Sequence, residues 1–300
     1  MNKYFKISSC AVALALLATS AFAVGFDAGV KETYGARHYN GVGAFGQLNI
    51  ANVSVEPMFN SFHNDFSSGT FNTYSLRLGY DTKLFGIGLT GGATPSVNGY
   101  NNKFAGADVT FSLTPTGEGA RERINGRQQA SGPAQGRGLA RVDVGGAATY
   151  IYHTDHFGTS NQALGAAAHL AQTDVTGSVG VAVLESLLSL DMTKSVYEHQ
   201  PASVLMRSPR VENVVGLANV VQGYPNTSAN VKLLFGATPL LKPFAQYTHT
   251  TFEAGQPNSN AYTAGVSAEL AILEVSASYE RYQQQGNNQN FVSVGANVRF

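Results

Sequence analysis

Residues 292–300 read Val-Ser-Val-Gly-Ala-Asn-Val-Arg-Phe, and they decide the fold class of this chain. Apolar side chains occupy every second position of this segment, namely Val292, Val294, Ala296, Val298 and Phe300. Polar or small residues fill the positions between them. Because successive side chains of a β-strand point to opposite faces, this period of two predicts a strand with one apolar and one polar face.

The same alternation recurs upstream, in residues 72–80, 141–152, 262–270 and 273–280. Aliphatic and tyrosine side chains face one way in these segments, while acids, arginines and hydroxyl residues face the other. Charged residues make up only 13% of the chain, against roughly a quarter in soluble domains. No segment after Val24 approaches the roughly 18 consecutive apolar residues of a transmembrane helix. A membrane protein that crosses with alternating strands explains both facts, and a soluble β-sandwich is the alternative.

The C-terminal segment resembles that of the bacterial outer-membrane β-barrel superfamily, the porin-like proteins. Members of this superfamily typically close with an amphipathic strand that ends in phenylalanine and is read by the barrel-assembly machinery. The resemblance implies an all-β fold, a transmembrane antiparallel up-and-down β-barrel. It also implies that outer-membrane lipid and the barrel-assembly machinery are partners, but it says nothing about a substrate.

Turn and loop lengths indicate how many strands the barrel has. Turns are expected to be tight near residues 51–52, 82–83, 185–186, 239–240 and at 271, with longer polar loops over 63–69, 94–103, 195–228, 253–259 and 283–289. Segmentation yields 15 candidate strands, and the even count of bacterial barrels requires one to be discarded. We discard residues 163–171, whose alanines favour a helix equally well. About fourteen strands remain; twelve or sixteen stay open, because residues 114–139 form a long segment where a short turn is expected.

The N-terminus predicts export. Lys3 and Lys6 precede an apolar stretch, and Ala21-Phe22-Ala23 has the pattern of a signal-peptidase site. We therefore expect a signal peptide over 1–23, cleaved after Ala23, and a barrel over 24–300 in the bacterial outer membrane. The sole cysteine, Cys10, lies in the expected signal peptide. The balance of 19 basic and 19 acidic residues gives no reason to expect binding to nucleic acid.

Motifs for catalysis and for cofactor or metal binding are weak. The glycines of 41–46 match a dinucleotide fingerprint, but they lie in an alternating, strand-like segment and not before a helix. His153, Asp155 and His156 form the densest group of metal-binding side chains, yet they are three local ligands in a polar loop. No histidine has the serine two residues away that a barrel phospholipase would need. We expect no enzyme activity, no cofactor and no metal.

Charged residues on the polar faces of the strands are the candidate site. They are expected to line a pore, because a charged side chain that faces lipid is costly. These residues are Glu56, Arg77, Asp108, Arg141, Asp143, Glu269, Glu274 and Glu280. The alternative is a sealed lumen in which Arg77 and Arg141 pair with the acids.

Residues 195–228 form the loop most able to narrow such a lumen. Ser208, Pro209 and Glu212 predict a helix start, and Val211, Val214, Val215 and Ala218 lie at helical spacing. The helix would form a constriction inside the pore or a lid above it. The sequence as a whole predicts an outer-membrane channel for passive diffusion of small hydrophilic solutes. The alternative is a non-conducting structural or adhesive barrel with a plugged lumen and partner-binding extracellular loops.

Overall fold

A closed β-barrel of fourteen strands forms the body of the molecule. The computed structural model describes residues 24–65, 69–82, 84–113, 140–155, 168–183, 186–199, 211–212, 214, 216–218, 221–236, 240–270 and 272–300. Each strand pairs antiparallel with its neighbours, and the first pairs with the last to close the barrel. No helix within these ranges is long and apolar enough to cross a bilayer.

The strands follow one another in chain order around most of the barrel. The first nine are β1 (Val24–Gly35), β2 (Tyr39–Ile50), β3 (Val53–His63), β4 (Phe71–Asp81), β5 (Phe85–Val97), β6 (Tyr100–Leu113), β7 (Ala140–Asp155), β8 (Ala168–Val183) and β9 (Ser186–Tyr197). A separate small hairpin follows, made of β10 (Val211–Glu212) and β11 (Val221–Gln222). The barrel then continues with β12 (Pro225–Leu234), β13 (Leu241–Phe252), β14 (Ser259–Leu270), β15 (Leu273–Gln284) and β16 (Asn287–Arg299).

The predicted fold class and the count of about fourteen strands are confirmed. β6 and β7, which flank residues 114–139, pair directly with each other, so no further strand is inserted between them in the barrel. Of the discarded segment 163–171, residues 168–171 begin β8, and the others lie outside the described residues. The expected signal peptide over 1–23 also lies outside them.

Two predicted long loops are tight turns instead. β5 and β6 are joined by Asn98 and Gly99, with φ of 54° and 89°. Gln285 and Gly286 join β15 to β16, with φ of 47° and 74°. Positive φ at both central residues is the geometry of a two-residue hairpin turn whose twist matches that of the flanking strands. The predictions for 94–103 and 283–289 are wrong because polar residues there belong to the strand ends.

The outer surface of the barrel is apolar. Large hydrophobic side chains on the outward-facing positions are strongly exposed, and Leu89 is 66% and Met192 57% accessible. Where the chain's termini meet, called here the terminal end, the outward aromatic residues include Phe85, Phe111 and Phe300. At the opposite end, called the loop end, tyrosines predominate. Exposed apolar side chains over the whole wall of a closed barrel indicate a surface made for hydrocarbon.

Candidate functional site

The inward-facing side of the strands is polar and carries many charges. All eight sequence-predicted site residues lie on this side, together with several that were not predicted. Within the described strands, eleven acids face inward: Asp27, Glu56, Asp81, Asp108, Asp143, Asp155, Asp174, Asp191, Glu269, Glu274 and Glu280. Six lysines and arginines share the face: Lys31, Arg77, Arg141, Lys232, Lys242 and Arg299. The lumen wall therefore has more acidic than basic side chains.

Arg77 is the centre of a buried ion cluster near the terminal end. Its Nη1 donates to Glu56 Oε1 at 2.9 Å, while Nη2 and Nε donate to the two carboxylate oxygens of Asp108 at 2.6 and 2.9 Å. The Arg77 side chain is only 1% exposed. Glycine is required beside it, because a Cβ at Gly79 or Gly88 would overlap the guanidinium group. Fork-shaped pairing of this kind fixes the side chain against the wall.

Three further pairs lie on the lumen wall near the terminal end. Arg141 Nε is 2.7 Å from Asp143 Oδ2, and Lys242 donates to Glu269 Oε1 at 2.6 Å. Arg299 Nε lies 3.5 Å from Asp27 Oδ2. Both arginines that the sequence singled out thus contact acids. The acids outnumber the cations, so this pairing still leaves the wall with an excess of negative charge.

Glu274 has a different neighbour. It lies directly opposite Glu269 in the register of β14 and β15. Directly opposed side chains of antiparallel strands have their Cβ atoms about 5 Å apart. The two acids therefore lie side by side on the lumen wall near its terminal end, where Lys242 also pairs with Glu269.

A continuous row of rings lines part of the inner wall at the loop end, and it is not among the features predicted from the sequence. We define the aromatic arc as Phe291, Tyr39, Phe62, Phe71, Tyr100 and His153. Its consecutive ring centroids are 5.4, 6.3, 4.9, 6.2 and 6.0 Å apart. Each ring points inward and is 7% exposed or less. The signal was present in the sequence, since several of these residues are aromatic positions on an otherwise polar strand face.

His153 joins the aromatic arc to a polar network. Its Nδ1 lies 2.8 Å from Tyr100 Oη and its Nε2 lies 3.2 Å from Gln172 Oε1, while Gln172 in turn donates to Asp174. Both ring nitrogens of His153 therefore have hydrogen-bond partners. His156 lies outside the described residues. The described part of the chain contains no group of three metal-ligating side chains.

The hairpin of β10 and β11, which we call the inward hairpin, replaces the predicted helix. Val211 pairs with Gln222 and Glu212 with Val221, so the chain reverses between them. Gly216, with φ of +84°, lies in this reversal. A residue in the left-handed region interrupts a right-handed helix, so the helix prediction is wrong for the described residues between 211 and 222. Residues 200–210, including Ser208 and Pro209, lie outside the described part.

The tip of the inward hairpin is bonded to the lumen wall. The Gly216 carbonyl accepts hydrogen bonds from Gln246 Nε2 and from Thr248 Oγ1, both on β13. The Ala218 amide donates to Glu280 Oε2 on β15 at 2.8 Å. Thr263 Oγ1 donates to the same Glu280 oxygen at 3.1 Å. Residues 216–218 therefore lie inside the barrel, and the Glu280 carboxylate holds the tip of the inward hairpin by a hydrogen bond.

Apolar side chains complete the packing of this hairpin. Val214, Leu217 and Ala218 pack against a cluster that includes the aromatic arc residues Tyr39 and Phe291. The interior thus has two zones, a charged wall towards the terminal end and an aromatic, hairpin-filled zone towards the loop end. The exterior is apolar, the interior polar, and the sheet has no open edge. The fold is that of a transmembrane β-barrel.

Comparison with known proteins adds similar barrels at low identity. No protein-family model matches the chain, and no curated protein matches it. Among solved structures it is similar to the CymD monoaromatic hydrocarbon channel, with 7% identity over 94% of this chain and 89% of that one and a TM-score of 0.49. OmpT of Vibrio cholerae matches with 11% identity over 94% and 99% and a TM-score of 0.48. The match to CdiB from Acinetobacter baumannii, at 10% identity and a TM-score of 0.46, covers 94% of this chain but only 61% of that one.

Proposed function

We propose that the protein is a narrow outer-membrane channel through which small hydrophilic solutes diffuse passively, with a preference for cations. The observation that carries this proposal is the inward face of the closed barrel, where eleven acids stand against six lysines and arginines in the described strands. An acid-rich wall lowers the energy of a cation in the lumen and raises that of an anion. The protein would act without catalysis or a cofactor.

The proposal includes an orientation in the bacterial outer membrane. The terminal end would face the periplasm and the loop end the exterior, after removal of the signal peptide behind Ala23. This orientation places the charged wall on the periplasmic side and the inward hairpin on the extracellular side. Residues 292–299 form most of β16, whose apolar positions face outward, and together with Phe300 they would be the segment read by the barrel-assembly machinery.

Solute size would be set by the inward hairpin. Gly216 and Ala218 are bonded to β13 and β15, so the hairpin reduces the open cross-section towards the loop end. Gln246 and Thr248 hold the hairpin tip at this constriction, and small solutes would pass through the remaining part of the lumen. The charged wall beyond it would then set ionic preference.

Planar-bilayer recording tests the channel and its selectivity together. Wild-type protein should show stepwise conductance, and under a salt gradient its reversal potential should indicate cation preference. Glu274→Gln should shift the reversal potential towards zero, because it removes one of two opposed carboxyl groups from the lumen wall. Glu32→Gln is the matched control, since Glu32 lies on the outward-facing side of β1 and its loss changes net charge equally.

The outcome is decisive in either direction. A properly folded barrel that never conducts would overturn the channel. Equal shifts of the reversal potential for Glu274→Gln and Glu32→Gln would show that position within the lumen does not matter, against the proposed selectivity mechanism.

A second candidate, a non-conducting structural or adhesive barrel, has one observation in its favour. The aromatic arc and the inward hairpin pack together towards the loop end, and Tyr100 and His153 are 0% exposed there. Under this alternative the extracellular loops would bind a host surface or another envelope component. Unchanged envelope permeability on gene deletion, with lost surface binding when 195–228 is shortened, would favour it over the channel.

A further inference from the structure

The outward-facing charges of the barrel have a one-sided distribution. Among the described strand positions that face outward, the charged residues are Glu32, Lys103, Lys194 and Arg281. All four lie in the half of their strand nearer the loop end. A charged side chain on the lipid-facing surface is costly at the bilayer midplane and tolerated near the interface. The positions therefore mark a membrane interface, and three of the four charges are positive.

Two of these cations belong to patches of similar composition. The first, the Lys103 patch, consists of Lys103, Tyr152 and His169 on β6, β7 and β8. Lys103 lies opposite Tyr152 in the strand register, and the Tyr152 ring stacks on His169 with centroids 5.4 Å apart and an interplanar angle of 19°. All three side chains are on the outer face, and Tyr152 is 40% exposed.

The second, the Arg281 patch, consists of Arg281, Tyr262, Tyr247 and His249 on β15, β14 and β13. Arg281 lies opposite Tyr262, whose ring centroid is 5.2 Å from that of Tyr247. Asn260 Oδ1 accepts from Tyr247 Oη at 2.7 Å and lies 2.8 Å from His249 Nδ1. A cation, tyrosines and a histidine are thus again held on three adjacent strands.

No described acid faces outward on the strands that form the two patches, and the acid next to the Lys103 patch is Glu198, just after β9, whose amide donates to the Ala171 carbonyl. The outward positions of β6, β7, β8, β13, β14 and β15 carry no aspartate or glutamate in the part of the chain that the structure describes. The outward acid Glu32 lies on β1, two strands from β15, and its register neighbours are Val42 and Val294. Each patch therefore has a net positive charge on the outer face of its own strands, at the end of the barrel where the outward charges lie.

We propose that the Lys103 and Arg281 patches bind phosphate groups of anionic lipids in the leaflet at the loop end. The ammonium or guanidinium group would pair with the phosphate, the histidine would add a second donor, and the tyrosine would pack against the glycolipid or acyl stem. The inference rests on the proposed outer-membrane location, but it is independent of whether the lumen conducts.

Native mass spectrometry of the full-length barrel tests this inference. Protein in neutral detergent would be titrated with lipid A that carries both phosphates and, separately, with the same lipid after both phosphates are removed. The wild type should retain the phosphorylated form more strongly. Lys103→Gln and Arg281→Gln should each weaken binding at one site about fivefold, the effect of one basic residue at a charged membrane surface.

The matched control is Lys31→Gln, which removes a lysine that faces inward on β1 and should leave lipid retention unchanged. Equal retention by wild type and the Lys103→Gln, Arg281→Gln double variant would overturn the proposal, as would indifference to the lipid phosphates. Circular dichroism and heat-modifiable gel mobility establish that each variant is folded. A folded barrel that shows phosphate-dependent lipid binding but no conductance would overturn the channel and support the lipid sites.

Discussion

Replacing residues 211–222 by a Gly-Gly linker is expected to raise single-channel conductance several-fold. These residues include the inward hairpin, whose tip is bonded to β13 and β15 across part of the lumen. Removing it takes Val214, Leu217 and Ala218 away from the aromatic arc and opens a continuous aqueous path. Planar-bilayer recording gives the conductance, and uptake of neutral sugars of graded size into vesicles gives the change in size limit.

A substitution at Gly216 tests whether moving the tip of the inward hairpin, without deleting the hairpin, also raises conductance. A Cβ at Gly216 would overlap Asn230 Oδ1 and Gln246 Nε2, so Gly216→Ala should push the tip off the wall and raise conductance in the same direction. Gly255→Ala is the matched control, because Gly255 also has positive φ, +71°, while its added Cβ would meet nothing within 4 Å. If the deletion and Gly216→Ala both conduct like the wild type, the hairpin is not the constriction.

Arg77→Met is expected to cost about 3–5 kcal/mol of unfolding free energy, the range for breaking a buried ion pair by removing one partner. Arg77 donates to both Glu56 and Asp108, whose side chains are 9% and 7% exposed. Without the guanidinium group the two carboxylates stay buried with their charges uncompensated. Urea unfolding in lipid vesicles, followed by gel mobility and tyrosine fluorescence, measures the loss.

A neutral version of the cluster provides the control. The triple variant Arg77→Met, Glu56→Gln, Asp108→Asn removes all three charges with little change in volume, and most of the lost stability should return. Full wild-type stability of Arg77→Met alone would contradict the account, because it would mean that the acids are solvated without their partner. Failure of the triple variant to recover would point to packing of the arginine stem instead.

Alternation of side chains predicted the fold well, because that pattern directly reflects which face of each strand meets hydrocarbon. Residues 292–299 and 273–280 lie in strands as expected, and the same alternation in their neighbours agrees with a barrel of fourteen strands. Loop lengths were harder to predict. Asn98-Gly99 and Gln285-Gly286 lie within polar stretches, and composition alone does not show that the flanking polar residues remain paired in the sheet.

The candidate site was predicted only in part. Its eight charges lie on the inward face of the strands, as expected when a charge on the outer wall is penalised, while their role in a pore stays a prediction. Which of these charges form ion pairs depends on the register of the strands. Arg77 and Asp108, for example, are 31 positions apart and lie on strands that are not neighbours. The spacing of apolar residues in 211–218 predicts a helix but also fits the inward hairpin, and the local sequence does not show the long-range hydrogen bonds of Gly216.

Closure of the barrel has a consequence for folding. β1 pairs with β16, and the amides of Phe26 and Phe300 each donate to the other's carbonyl, at 3.1 and 2.9 Å. The two edges of the sheet thus come from opposite ends of the polypeptide, and this contact has nearly the largest sequence separation available. Such high contact order slows folding, and both edges stay open to wrong partners until the final strand docks. A nascent chain of this kind depends on protection from aggregation until its last residue is in place.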